Sequence, residues 1–303
     1  MDAHVIDNLC RDLTGKAGFD APTRQPLRVW GLSGVERLHL PHGGTVIFKY
    51  AAEPFTGEDQ ALALAADHGV PVPELHASTV QDHTLGMIME DLGVPVRDAT
   101  LQDGAVAAVR LHAVGVAPGL DTLDRRGLAA LPDRALVRLV TLQDAARWAG
   151  VDDIADMLTA VSSAAQARTV GAELGPFGFC HSEFHPTSLH IGEQGWRLLD
   201  FARAFNGPGL LDLASWHGTL DGPDPARLRH LIEAYAAAGG HPDVATTRGG
   251  LAAENWALGW HRMWALTWFL DQAVQWINDP AADPVYITAV RRHLIEAVEL
   301  LAV

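Results

Sequence analysis

Within one short stretch, His181-Ser-Glu183-Phe-His185-Pro-Thr-Ser188-Leu-His190 brings together imidazoles, a carboxylate and hydroxyls, and Asp200 follows twelve residues after Ser188. Side chains of these types suit proton transfer and the binding of a hard cation through oxygen. The pattern His181-x-Glu183-x-His185 also raises a zinc site. That reading meets three obstacles. Zincins place the glutamate directly after the first histidine, deaminases need a downstream Cys-x-x-Cys, and Pro186 stops a helix from running through the segment. The only cysteines, Cys10 and Cys180, lie far apart and form neither a metal pattern nor a disulfide framework.

A second chemical signal is a lysine. Of 22 basic residues, only Lys16 and Lys49 are lysines, so arginine serves wherever either cation would do. Lys49 nevertheless persists inside the apolar run Thr-Val-Ile-Phe-Lys-Tyr. A compact ammonium kept at that place implies a task for it.

The elements that must position these groups follow from periodicity. Residues 27–50 predict strand, glycine turn, strand, a hairpin turn at Gly43-Gly44, and strand. Residues 57–68 predict a helix closed by Gly69, with Pro71 and Pro73 beyond it, and residues 85–92 predict another strand. From about residue 100 onward, 104–115, 130–149, 151–169, 225–238, 250–277 and 285–301 carry helical apolar spacing. The exception is 177–201, where a polar loop and two short strands, 188–191 and 196–199, interrupt the helices. Such a loop is where chemistry is expected.

With these residues in view, the chain resembles the aminoglycoside phosphotransferase and choline kinase-like family, which shares the two-lobed protein-kinase fold. That family's loop runs His-Gly-Asp-Leu-His-Pro-Gly-Asn, followed by Ile-Asp-Phe and then Gly-Asp-Pro-Ala-Leu-Asp-Leu-Ala. His181, His185, Pro186, Asp200-Phe201 and Asp212-Leu-Ala match in place. Further landmarks keep the family's order: Gly31 to Gly34, Lys49, Glu58, Gly69-Val-Pro-Val-Pro, Met87-Ile-Met-Glu-Asp-Leu-Gly and Arg110-Leu-His-Ala. Among the positions that depart from it, three bear on the chemistry: Ser182 for glycine, Glu183 for the catalytic aspartate and Ser188 for the metal-binding asparagine.

The resemblance implies an α+β, two-lobed protein-kinase-like fold. Residues 1–93 would form a small β-sheet lobe with one helix that binds nucleotide. Residues 94–303 would form a large, mainly helical lobe with the catalytic loop and acceptor pocket. It implies Lys49 on the nucleotide phosphates, oriented by Glu58, and Mg2+ held by Asp200 and Ser188. Gly31, Ser33 and Gly34 would cover the phosphates, although a simple tight turn explains these glycines almost as well. Met89, Glu90 and Leu92 would form the hinge beside the base. Glu183 would align the attacking hydroxyl, while His181, His185 and Asp212 would hold the loop.

Trp256, Trp260, Trp264 and Trp268 recur every four residues, with His261 beside them. An aromatic stripe at this spacing is usually a packed seam. In the resembling family, helices of this region wall the acceptor site, so Trp256, Trp260, His261 and Trp264 are also candidate substrate contacts.

Composition limits the partners. Acidic residues outnumber basic ones, 37 to 22, for a net charge of −15, which disfavours nucleic acid and anionic membrane surfaces. No signal-peptide pattern opens the chain and no long apolar run spans a membrane, so a cytoplasmic protein, monomer or homodimer, is expected. The leading function is a small-molecule kinase that uses ATP or GTP to phosphorylate a hydroxyl of an antibiotic or related metabolite. The alternative is a kinase-like protein that binds nucleotide or ligand with little or no transfer.

Overall fold

The computed structural model describes residues 1–303 and divides into two compact units: 1–99 with 186–204, and 100–185 with 205–303. The first unit opens with helix α1 (Ala3–Lys16), capped by Asp2 through the His4 N–H. A five-stranded antiparallel sheet follows, built from β1 (Thr23–Val29), β2 (Ser33–His39), β3 (Thr45–Ala52), β4 (Leu75–Gln81) and β5 (Thr84–Glu90) in the order β1-β2-β3-β5-β4. Helix α2 (Glu58–Asp67) connects β3 to β4.

The alternation of β3 explains how the sheet is used. Val46, Phe48 and Tyr50 point to one face and join Leu9, Leu13, Leu38 and Ile88 in a core sealed by α1. Ile47 and Lys49 therefore face the other way, and Lys49 is paired laterally with Val35 on β2 and Met87 on β5. The apolar spacing Val5, Ile6, Leu9, Leu13 makes α1 amphipathic. This helix and β4 add to the elements expected from sequence. The hairpin turn at Gly43-Gly44 forms as expected, with both residues at positive φ, 93° and 85°.

Residues 186–204 leave the helical part of the chain and join the first unit. They contain β7 and β8, the hairpin Leu189–Gly192 and Gly195–Leu198. The Leu198 N–H donates to the Pro71 carbonyl at 2.8 Å, and the Val96 N–H to the Ile191 carbonyl at 2.8 Å.

The second unit is mainly helical: α3 (Leu101–His112), α4 (Arg125–Ala129), α5 (Leu131–Asp144), α6 (Asp152–Arg168), α7 (Leu210–Ser215), α8 (Pro225–Ala237), α9 (Ala253–Asp271) and α10 (Asp283–Leu301). A short ladder of β6 (Phe177–Cys180) with β9 (Phe205–Pro208) flanks the polar loop. Helix α3 begins at a capping box, Thr100 with Asp103. Helix α9 is apolar nearly all round and is packed by α5, α7, α8 and α10, as such a helix must be. It ends earlier than the expected 277, in a π-helical turn over Gln272–Trp276. Helix α5 likewise ends before 149, where Ala146 and Trp148 adopt positive φ. No helix is long and apolar enough to cross a membrane.

Gly34 has a packing reason of its own. A Cβ built there would lie 2.3 Å from Cζ and Oη of Tyr50, so only glycine lets that ring close the core against β2. Gly34→Ala should destabilise the protein by about 1–3 kcal/mol through overpacking, read as a lower melting temperature. A double variant that also carries Tyr50→Ala should regain part of the loss; no recovery would place the defect elsewhere.

Candidate active site

Strand β3 places Lys49 at the centre of the sheet, and Gly57 turns the chain into α2 so that Glu58 is its first residue. The Lys49 ammonium donates to Glu58 Oε1 at 2.6 Å and to Asp200 Oδ1 at 2.7 Å. Glu58 is buried, and Asp200 keeps 39% of its side chain exposed. Burial alone would lower the Lys49 pKa, but the charges of Glu58 and then Asp200 hold it above the ordinary lysine value.

Asp200 sits directly after the short hairpin with φ +68°, a conformation that aspartate tolerates better than most residues. The Leu199 N–H donates to the Ser188 carbonyl at 2.8 Å, which keeps Ser188 beside the Asp200 backbone. Ser188 is buried in a short 3-10 turn, Pro186–Ser188.

The oxygens of Asp200 and Ser188 are hard donors of the kind Mg2+ prefers. No group of three or more His, Cys, Asp or Glu side chains is arranged to hold a metal ion. Two such donors, Asp200 and Ser188, would leave the other positions of a six-coordinate ion to water and phosphate oxygens.

The remaining first-unit candidates lie around this sheet. Gly31 is exposed with open space about it, and Ser33 begins β2 after a tight turn closed by the Trp30 N–H on the Ser33 carbonyl at 2.7 Å. Met89 and Glu90 end β5, with the Glu90 N–H donating to the Glu74 carbonyl at 2.8 Å. Leu92 follows Asp91, whose carboxylate takes Arg37 at 2.6 Å and the Gly93 N–H at 3.0 Å.

In the second unit, the loop before Pro186 hangs from one buried carboxylate. Asp212 on α7 accepts the His181 N–H through Oδ2 and the Ser182 N–H through Oδ1, both at 2.8 Å. On its other side, Asp212 Oδ2 lies 3.3 Å from Nε2 of His112, at the end of α3. Phe184 is fully buried against the Trp216 ring, centroids 5.3 Å apart, and its carbonyl accepts the Ser215 hydroxyl at 2.8 Å. Glu183 and His185 on either side of it stay half-buried, and the His185 N–H donates to the Glu183 carbonyl at 3.1 Å. His112 reached the sequence reading only as part of the Arg110-Leu-His-Ala landmark; a histidine on an apolar helix face gives no sign of its distant partner.

The tryptophans separate by burial. Trp256 and Trp260 are fully buried, and both indole N–H groups donate to the Arg168 carbonyl, at 2.7 and 3.3 Å. These two belong to the packed seam, and His261 is buried as well. Trp264 and Trp268 are half-buried, and Trp264 lies tilted on Phe205 with centroids 5.0 Å apart.

Against known proteins, the model of the phosphotransferase enzyme family matches residues 39–249. Solved structures share the fold over nearly the whole chain. A choline/ethanolamine kinase family protein from Mesorhizobium loti is 19% identical with a TM-score of 0.65, covering 98% of this chain and 95% of its own. A macrolide 2'-phosphotransferase from Brachybacterium faecium is 18% identical with a TM-score of 0.63, covering 95% and 97%. An amicoumacin kinase, solved with AMP-PNP, Ca2+ and Ami, is 13% identical with a TM-score of 0.58, covering 97% and 93%. Among curated proteins, none matches this chain significantly by sequence.

Ser182 carries a measurable cost. It has φ +78°, and its hydroxyl is buried without a partner. A left-handed residue other than glycine costs roughly 1–2 kcal/mol, and glycine's greater unfolded-state entropy returns roughly 0.5–1 kcal/mol of that. Ser182→Gly should therefore raise stability by about 1 kcal/mol, read by denaturant or thermal melting. A destabilised variant would show that the side chain packs favourably despite its backbone.

Proposed function

The chain belongs to the phosphotransferase enzyme family, and from that premise we propose that it is a small-molecule kinase, moving the γ-phosphate of ATP or GTP to a hydroxyl of an antibiotic or related metabolite. The family's reaction is phosphoryl transfer to a hydroxyl acceptor. The observation that carries the assignment for this chain is the Lys49–Glu58–Asp200 network, with bonds of 2.6 and 2.7 Å. A lysine held charged in a near-buried position, with one carboxylate still part-exposed, is the equipment needed to receive a nucleotide's phosphates and their cation.

In this reading Lys49 binds the phosphates and Glu58 orients it. Asp200 and Ser188 would hold Mg2+, which would supply charge neutralisation at the nucleotide's phosphates. The turn at Gly31 and Ser33 covers the phosphates, and Met89, Glu90 and Leu92 border the base. Residues 1–93 thus act as the nucleotide lobe and 94–303 as the acceptor lobe. The acceptor oxygen forms its bond to the γ-phosphorus as the bond to the β-phosphate oxygen breaks, and the nucleoside diphosphate leaves.

Glu183 aligns the acceptor hydroxyl and takes its proton late in the reaction. Its extra methylene relative to aspartate shifts the carboxylate by about 1 Å, a distance that matters at a reacting centre. His181 and His185 support the loop. For the acceptor, the half-buried Trp264 is a better candidate than Trp256, Trp260 or His261, whose burial suits packing. A hydroxylated amine would suit the charge of −15.

Lys49→Ala and Asp200→Ala should each lower kcat/KM by about a hundredfold or more while circular dichroism and melting show a folded chain. Turnover equal to the parent in either variant would remove that residue from the reaction. Glu183→Gln should abolish most turnover with nucleotide affinity nearly unchanged, measured by single-turnover transfer and calorimetry. A glutamine variant as active as the parent would exclude the carboxylate. If the parent transfers nothing across a broad panel of hydroxylated acceptors with ATP and GTP, the binding-protein alternative is favoured.

A further inference from the structure

The edge strand β1 ends in an irregularity that the Lys49 network leaves unexplained. Gln25 pairs with Arg37 and Pro26 with Glu36, but the next pair is Arg28 with Val35, so Leu27 is an extra residue in a β-bulge. Laterally paired residues share a face of the sheet, and Val35 is paired in turn with Lys49. The bulge thereby turns Arg28 to the Lys49 face. In unbroken register, Arg28 would oppose Gly34 and lie on the other face with Arg24, which is bound there by Glu36 and Asp7.

Trp30 shares the face of Arg28, two residues on. Its ring holds the Arg28 guanidinium 3.7 Å from the centroid, and its backbone closes the turn to Ser33. Both side chains are exposed, Trp30 by 55%. Arg24 and Arg37 on the same hairpin have carboxylate partners, whereas Arg28 has none. Two strand spacings, about 10 Å, separate Arg28 from Lys49, within the combined reach of two long cationic side chains and a triphosphate.

Charge balance supplies the motive. The single positive charge of Lys49 already faces Glu58 and Asp200. A nucleoside triphosphate brings several negative charges of its own, so it calls for more than one cation. We propose that Arg28 is that cation: it binds the phosphates of the nucleoside triphosphate, and Trp30 holds its guanidinium ready on the Lys49 face until the nucleotide arrives. The role rests on the kinase reading given above. An exposed cation–π contact is weak and easily exchanged for the paired, charge-assisted bonds a guanidinium makes to phosphate.

The full-length parent and Arg28→Gln would be titrated with AMP-PNP, GMP-PNP, adenosine and guanosine by calorimetry in the presence of Mg2+. Arg28→Gln should weaken the preferred triphosphate analogue by about ten- to a hundredfold while the matching nucleoside binds as to the parent and the melting temperature stays constant. Tryptophan emission of the parent should change on binding the analogue, and that change should shrink in Trp30→Phe. Equal analogue affinity in the parent and Arg28→Gln overturns the role, as does an equal loss for analogue and nucleoside, which would place Arg28 on the base or ribose. A parent that binds neither analogue overturns the kinase reading, and the role of Arg28 with it.

Discussion

A positive charge held almost out of water must be matched, and the ammonium of Lys49 is matched twice, by Glu58 and by Asp200. Much of the first unit can be traced to that requirement. The lysine needs a central strand whose other face is apolar enough to be sealed, which α1 does with Leu9 and Leu13 against Phe48 and Tyr50. Glu58 needs a helix that starts close to the end of β3, and the break at Gly57 provides it. Asp200 needs a return of the chain from far along the sequence. The hairpin of β7 and β8, bonded to Pro71 and Val96, accomplishes that return.

The loop before Pro186 answers to a different constraint. Backbone N–H groups buried at a sharp turn must find acceptors, and Asp212 takes two of them at once. The resulting path drives Ser182 into a left-handed conformation, the place where the resembling family carries glycine. Phe184 and Trp216 then lock the loop by packing, so Glu183 emerges from a rigid base on an element of otherwise irregular structure. The glutamate thus stands in a loop held by the Asp212 carboxylate and by the packing of Phe184.

The helical unit shows how one sequence pattern can serve two ends. The four-residue recurrence of tryptophan along α9 puts Trp256 and Trp260 into the centre of the unit, where the Arg168 carbonyl satisfies both indole N–H groups. Further along the same helix, burial relaxes at Trp264 and Trp268. A recurrence of four turns by about 40° per step on a helix of 3.6 residues per turn, so Trp264 and Trp268 are carried round from the face of Trp256.

From sequence alone, the switch from strand to helical periodicity marked a small sheet followed by helices. The scarcity of lysine singled out Lys49, the polar loop singled out Glu183 and Asp200, and the resemblance of the ordered landmarks implied the two-lobed fold and Glu58. Those properties are local or depend on residue type, and they survive without coordinates. Helix α1 carries an amphipathic spacing that sequence alone could have shown, whereas β4, a half-buried edge strand, has only weak alternation. Tertiary structure alone decided that Asp200 bonds Lys49 across 151 positions of sequence and which backbone groups, the N–H of His181 and of Ser182, Asp212 takes. It alone decided that Gly34 makes room for a tyrosine ring and that a bulge at Leu27 turns Arg28 toward the lysine. Each depends on register or on a close approach between distant segments, and a one-residue change in register reverses which side of a sheet a side chain occupies.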